Sequence, residues 1–98
     1  MAKGYWIALV DVEDPEAYRA YVGANAAAFE KYGGRFIVRG GTANNVEGKV
    51  RSRAVVIEFA SYRRALDCYE SVEYAPAKVL REQASTADIV IVEGYEEP

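Results

Sequence analysis

Histidine is absent from the 98 residues. Its absence removes Ser-His-Asp and Cys-His catalysis, histidine-ligated zinc and a proximal haem histidine. Apart from the lone Cys68 and the chain terminus, no group titrates near neutrality at its ordinary pKa. One cysteine cannot form an intrachain disulfide. Excess positive charge is missing too: net charge is −3 and the pI about 5.0. A nucleic-acid partner, whose phosphates require a basic face, is therefore not expected. Long apolar runs are also lacking. The longest, Tyr5 to Val10, is far too short to cross a bilayer. Met1-Ala2-Lys3-Gly4 leads straight into that run, so neither a secretory leader nor a membrane association is expected, and the expected location is cytoplasmic.

What is present reads as one α+β domain over residues 1–98. Residues 5–12 combine aromatic and branched side chains without Gly or Pro and predict a strand. Asp14-Pro15-Glu16 opens a helix: Asp14 suits the N-cap, Pro15 the first turn, and Glu16 the positive end of the dipole. Tyr18, Tyr21 with Val22, Asn25, Phe29 and Tyr32 recur at helical spacing, and Gly33-Gly34 ends the helix. Arg35 to Arg39 predicts a second strand, with a bulge or bend at Gly40-Gly41. Residues 42–52 read as a hairpin region with short paired arms, and residues 53–59 as a third strand. Ser61 caps a helix carrying Tyr62, Ala65, Leu66 and Tyr69. Ser71 and Pro76 mark a break, followed by a helical piece through Val79, Leu80 and Gln83. Thr86 to Gly94 is the last strand, and 96–98 a frayed tail.

The order βαββαβ, with right-handed crossovers, implies a ferredoxin-like plait: an antiparallel sheet with its helices on one face. A two-residue period divides each strand. Trp6, Ala8, Val10, Val12, Phe36, Val38, Val55, Ile57, Phe59, Val90 and Val92 are assigned to the helices. Tyr5, Ile7, Leu9, Asp11, Arg35, Ile37, Arg39, Ala54, Val56, Glu58, Ile89, Ile91 and Glu93 are left for the far face. That face is too apolar for water. An identical sheet is the simplest cover, so a homodimer is expected.

Asp14-Pro15-Glu16-Ala17-Tyr18 with Tyr21, Gly33-Gly34-Arg35-Phe36, Arg39-Gly40-Gly41, Val56-Ile57-Glu58-Phe59, Tyr69-Glu70-Ser71 with Glu73-Tyr74, and Val92-Glu93-Gly94 follow one another in a specific order. In these segments the chain resembles domain of unknown function family thirteen-thirty, of the dimeric α+β barrel superfamily. The resemblance implies two plaits packed sheet to sheet. Relatives in the superfamily include cofactor-free oxygenases, lactone isomerases, haem-degrading enzymes and chlorite dismutases. The missing histidine argues against the haem-using branches.

Arg39 is the leading ligand-binding residue: its planar fork suits a carboxylate or enolate oxygen, unless it serves an interface ion pair instead. Tyr5, Tyr18, Tyr21, Tyr69 and above all Tyr74, at a helix break, can line a pocket and donate hydrogen bonds, or act as amphipathic core residues. Glu58 or Asp11 can serve as a base if burial raises its pKa. Asn44-Asn45 and Glu47 match no metal-loop spacing, and no Gly-rich phosphate loop precedes a helix. No metal, haem or nucleotide cofactor is expected. The RNA-binding version of the plait needs stacking aromatics where Val55 and Ile57 stand. The expectation is a small-molecule-binding homodimer. The alternatives are a cofactor-independent monooxygenase or isomerase acting on a small phenolic or enolisable substrate, and a purely structural dimer.

Overall fold

The structure, a computed structural model, describes residues 2–96. The tail reading for residues 97 and 98 falls outside them. The elements are β1 (Gly4–Val12), α1 (Pro15–Tyr32), β2 (Arg35–Arg39), β3 (Arg53–Phe59), α2 (Tyr62–Tyr69), α3 (Ala75–Ala84) and β4 (Ser85–Glu93). The four strands form an antiparallel sheet in the order β2-β3-β1-β4, the ferredoxin-like arrangement. The helices pack on one side of it.

Local chemistry sets the helix ends as the sequence predicts. The Asp14 carboxylate accepts from the Ala17 amide at 3.1 Å, closing the first turn of α1. Gly33 ends it with φ of 73°, a conformation that costs glycine little. The Ser61 hydroxyl accepts from the Arg64 amide at 3.1 Å. Ser71 makes the break between α2 and α3: its hydroxyl donates to the Cys68 carbonyl at 2.7 Å and accepts from the Tyr74 amide at 3.1 Å. On α3 the buried residues are Ala77, Arg81 and Ala84, while Val79 is exposed. Residues 40–52 form no paired arms. They run as an exposed loop with one local turn, in which the Asn45 amide donates to the Gly48 carbonyl at 2.9 Å.

Two face assignments need correction. In β4, Ile91 pairs with Trp6 and Ile89 with Ala8, so Ala87, Ile89 and Ile91 face the helices, while Val90 and Val92 face outward. Both sets in β4 are apolar, so alternation alone carried no information about which was buried; pairing with β1 decides. In β2, the register against β3 shifts between Phe36 and Val38. The expected bend is present at Gly40, where φ is 67°, and an extra residue within β2 is a second irregularity. It turns Val38 outward, opposite Val56, and brings Arg39 to the helix side, opposite Val55.

Three rows therefore cross the outer face. Val38, Val56, Ile7 and Val90 span all four strands. Arg35, Glu58, Tyr5 and Val92 form the row on one side, and Ala54, Leu9 and Asp88 the row on the other. The middle row is wholly apolar, and no element of the described chain covers it.

The charges of this face pair within the chain. Glu58 accepts from the Tyr5 hydroxyl at 3.0 Å and from Arg35 Nη2 at 2.9 Å. Asp11 accepts from the Ser52 amide at 3.0 Å and from Arg51 Nη1 at 2.9 Å, and Arg51 also reaches Asp88 at 3.0 Å. The Tyr5 hydrogen bond, aided by Arg35, holds Glu58 below its usual carboxylate range, and the Ser52 amide with Arg51 does the same for Asp11. A carboxyl whose folded-state pKa is depressed stabilises the fold fully above its unfolded pKa and loses that contribution as pH falls through the folded value. Thermal stability is accordingly expected to decline from about pH 5 downward. Glu58→Gln combined with Asp11→Asn should flatten that acid limb. An unchanged acid limb in the double variant, measured by melting at successive pH values, would refute this assignment.

Candidate functional site

On the helix side, β1 carries Trp6, Ala8 and Val10 in succession. Ala8 is small where its neighbours are large, and it leaves a cleft beneath α1. Tyr18, Tyr21, Val22 and Asn25 descend from α1, Phe36 and Arg39 come from β2, Arg53 and Val55 from β3, and Arg81 from α3. The free space is about 30 Å³, room for roughly two water molecules. A larger guest requires the side chains at the rim to swing outward, and Arg39, which is exposed, is free to do so.

Three guanidiniums line this cleft and no carboxylate does. Among the described residues none of the three forms a salt bridge. Arg39 lies over the Phe36 ring at 4.0 Å, and Arg53 over the Tyr18 ring at 5.7 Å. Arg53 Nε is buried without a hydrogen-bond partner. The Arg53 guanidinium occupies the position a β-carbon on Gly40 would take, and Gly40 has φ of 67°. The positive φ favours glycine there, and a side chain would also displace the Arg53 guanidinium. The side chain of Arg81, a residue only 7% exposed, donates from Nε to the Tyr74 hydroxyl at 3.3 Å. The Tyr74 and Tyr21 hydroxyls are 2.8 Å apart. Burial, opposed for Tyr74 by the Arg81 guanidinium, pushes both phenols above their ordinary pKa, so both remain protonated at neutral pH.

The structure thus brings together Arg39 and Tyr18, with Tyr74 one hydroxyl removed behind Tyr21. It separates Glu58 and Asp11 from them: both lie on the outer face, already engaged by Arg35, Tyr5, Arg51 and Ser52. Neither carboxyl is positioned as a base for this cleft, and both pKa values are lowered rather than raised. Cys68 is fully buried and its thiol is pushed up to about 12 by burial, so it is inert packing. Arg53 and Arg81 were the missing members of the site, whereas Tyr21 was among the tyrosines expected to line a pocket. Arg53 was legible, standing two residues before Val55 on the same face of β3. Arg81 follows Ala77 by four residues and Tyr74 by seven, which places a charge on the buried stripe of α3.

A family model described as a domain of unknown function (DUF1330) matches residues 3–95. The chain belongs to that family. No curated protein matches the sequence significantly. Among solved structures, the DUF1330 chain is similar to a protein of unknown function from Rhodopseudomonas palustris, with 18% identity and a TM-score of 0.75 over 98% of this chain and 85% of that one. It is also similar to SnoaB, a cofactor-independent oxygenase from Streptomyces nogalater, with 11% identity and a TM-score of 0.66 over 99% and 97% of the two chains. A third is a candidate antibiotic biosynthesis monooxygenase from Nitrosomonas europaea, with 16% identity and a TM-score of 0.59 over 96% and 92%. At these identities the likeness establishes the shared fold. Among the described residues of the DUF1330 chain, no helix is long and apolar enough to cross a membrane.

Proposed function

We propose that this DUF1330 protein is a homodimer that binds a small organic anion, a carboxylate or a phenolate, in the cleft between α1 and the sheet of each protomer. The observation that carries the reading is three guanidiniums facing one cleft with no carboxylate among its lining residues. A guanidinium cannot shed its proton, so each retains a full charge, Arg81 in a buried place and Arg53 in a partly buried one. An anionic guest supplies the missing partner, and the rings of Trp6, Phe36 and Tyr18 supply an apolar wall for its body. The dimer reading rests on the uncovered outer row of Val38, Val56, Ile7 and Val90. The charges beside that row are paired within each chain, Glu58 with Arg35 and both Asp11 and Asp88 with Arg51, so a second copy meets an apolar centre without unpaired ions.

Benzoate and 4-hydroxybenzoate, titrated by calorimetry, test the cleft. Arg53→Met is expected to weaken binding at least about tenfold, as loss of a charge-assisted hydrogen bond does. The same change should raise the melting temperature, because it removes a partly buried charge whose Nε has no partner. Arg39→Lys keeps the charge and loses the planar fork, so binding should weaken while the melting temperature stays nearly constant. If Arg53→Met instead lowers the melting temperature and leaves affinity unchanged, the cluster is structural and the proposal fails.

The fold likeness to SnoaB supports a second reading, a cofactor-independent oxygenase or isomerase. With no carboxylate lining the cleft to abstract a proton, such chemistry is restricted to a substrate that arrives as an enolate or phenolate. Oxygen consumption with a hydroquinone substrate would test it.

A further inference from the structure

We infer that the Tyr21 hydroxyl is the oxyanion donor of the cleft, its proton aimed at the ligand by a one-way hydrogen-bond chain that starts at Arg81. The inference rests on the anion-binding reading and assigns the anionic oxygen to a particular place within it.

The direction of the chain follows from which groups can donate. Arg81 Nε can only donate, and it donates to the Tyr74 hydroxyl oxygen at 3.3 Å. Tyr74 is 0% exposed, and its hydroxyl has no neighbouring acceptor among the described residues other than Tyr21, at 2.8 Å. The Tyr74 proton therefore goes to the Tyr21 oxygen, since the alternative leaves a buried hydroxyl proton unbonded. Tyr21 accepts that bond, so its own proton must leave in another direction. Tyr21 lines the cleft, with Asn25 one turn further along the same face of α1. The three groups act in series, each bond polarising the next, and a full positive charge stands at the buried end. What emerges into the cleft is a phenolic O–H strengthened as a donor toward negative oxygen. Arg39 and Arg53 hold the guest electrostatically, while Tyr21 fixes which of its oxygens bears the charge. In this scheme Tyr21 touches the ligand, and Tyr74 and Arg81 are positioning residues that act through it. The ligand class is a compact aromatic or vinylogous anion with the charge on a single oxygen, a phenolate or an enolate.

4-Nitrophenol tests this, because its absorption reports both its ionisation and the hydrogen bonds its oxygen receives, and 4-nitrotoluene is a neutral isostere. Bound to the unaltered protein, 4-nitrophenol should ionise at lower pH than in free solution. Tyr21→Phe should weaken nitrophenolate binding at least about tenfold and return the ionisation toward its free value, with 4-nitrotoluene affinity unchanged. Tyr74→Phe keeps the ring, cuts the link to Arg81 and should move the ionisation in the same direction by less. It serves as the test if Tyr21→Phe does not fold. Nitrophenolate affinity unaltered in Tyr21→Phe, but lost in Arg53→Met, would overturn the donor assignment and leave the anion site standing. Failure of the unaltered protein to bind nitrophenolate at all would overturn both.

Discussion

Ile7→Glu is expected to convert a dimer of about 21.6 kDa, twice the 10.8 kDa chain, into a folded monomer. Ile7 sits at the centre of the outer face, between Val56 on β3 and Val90 on β4, and is 37% exposed in the isolated chain. Val90, beside it, is 54% exposed. Neither side chain belongs to the protomer's own core, so a carboxylate at position 7 stays solvated in a monomer and costs little. In a sheet-to-sheet dimer the same carboxylate, present twice across the two-fold axis, loses its water without gaining a partner. That penalty is several kcal/mol per ion, by order of magnitude, enough to shift association by a few powers of ten. Ile91→Glu, two residues from the tip of the same sheet, makes the contrast. Ile91 pairs with Trp6 on the helix side and packs against the core, so a charge there should destabilise the fold itself. Sedimentation equilibrium at micromolar concentration with parallel circular dichroism separates the two outcomes. A 10.8 kDa unaltered protein, or an Ile7→Glu variant that still sediments as a dimer, would contradict the proposed interface.

Trp6→Ala should cost about 3–5 kcal/mol, a large share of the ~5–15 kcal/mol that holds a typical domain together. Trp6 is 1% exposed and stands where α1, α2 and the break before α3 converge on the sheet. Its ring meets Phe29 and Tyr74 edge to face, each at 5.0 Å between centroids, with Tyr69 at 5.5 Å and Phe59 at 5.7 Å. Its indole N–H donates to the Ala65 carbonyl at 2.8 Å, a bond that ties β1 to α2. Removing the side chain leaves a cavity among rigid rings that cannot collapse into it, and removes the bond that ties β1 to α2. Trp6→Phe retains most of the ring contacts and loses the hydrogen bond, so it should fall between, at roughly 1–3 kcal/mol. Urea unfolding at one fixed protein concentration makes the comparison, since association would otherwise enter the stability. A Trp6→Ala cost below about 1 kcal/mol would show that the core is not organised around this residue.

How far the sequence reaches depends on whether a signal is local. The caps at Asp14, Gly33 and Ser61 and the break at Ser71 were all legible, because each arises from hydrogen bonds or φ preferences within a few residues. The strand periods of β1 and β3 were legible as well, since in each one set of alternate residues is more apolar than the other. The plait order follows from these elements and right-handed crossover. The parity of β4 was not legible: Ile89 and Ile91 are as apolar as Val90 and Val92, and only pairing with β1 selects the inner set. Nor was the shift between Phe36 and Val38, which depends on how β2 lies against β3 and which moved Arg39 from the outer face into the cleft. The site shows the same division. Sequence marked Arg39, Tyr18 and Tyr74 by residue type, and it grouped Glu58 and Asp11 with Arg39 because all three shared an assigned face. The fold dissolved that grouping, giving the two carboxylates partners on the outer face and assembling Arg39, Arg53 and Arg81 from β2, β3 and α3. Residue type and short-range spacing specify what a side chain can do; which side chains meet is set by sheet register and helix packing, both products of contacts between residues far apart in the chain.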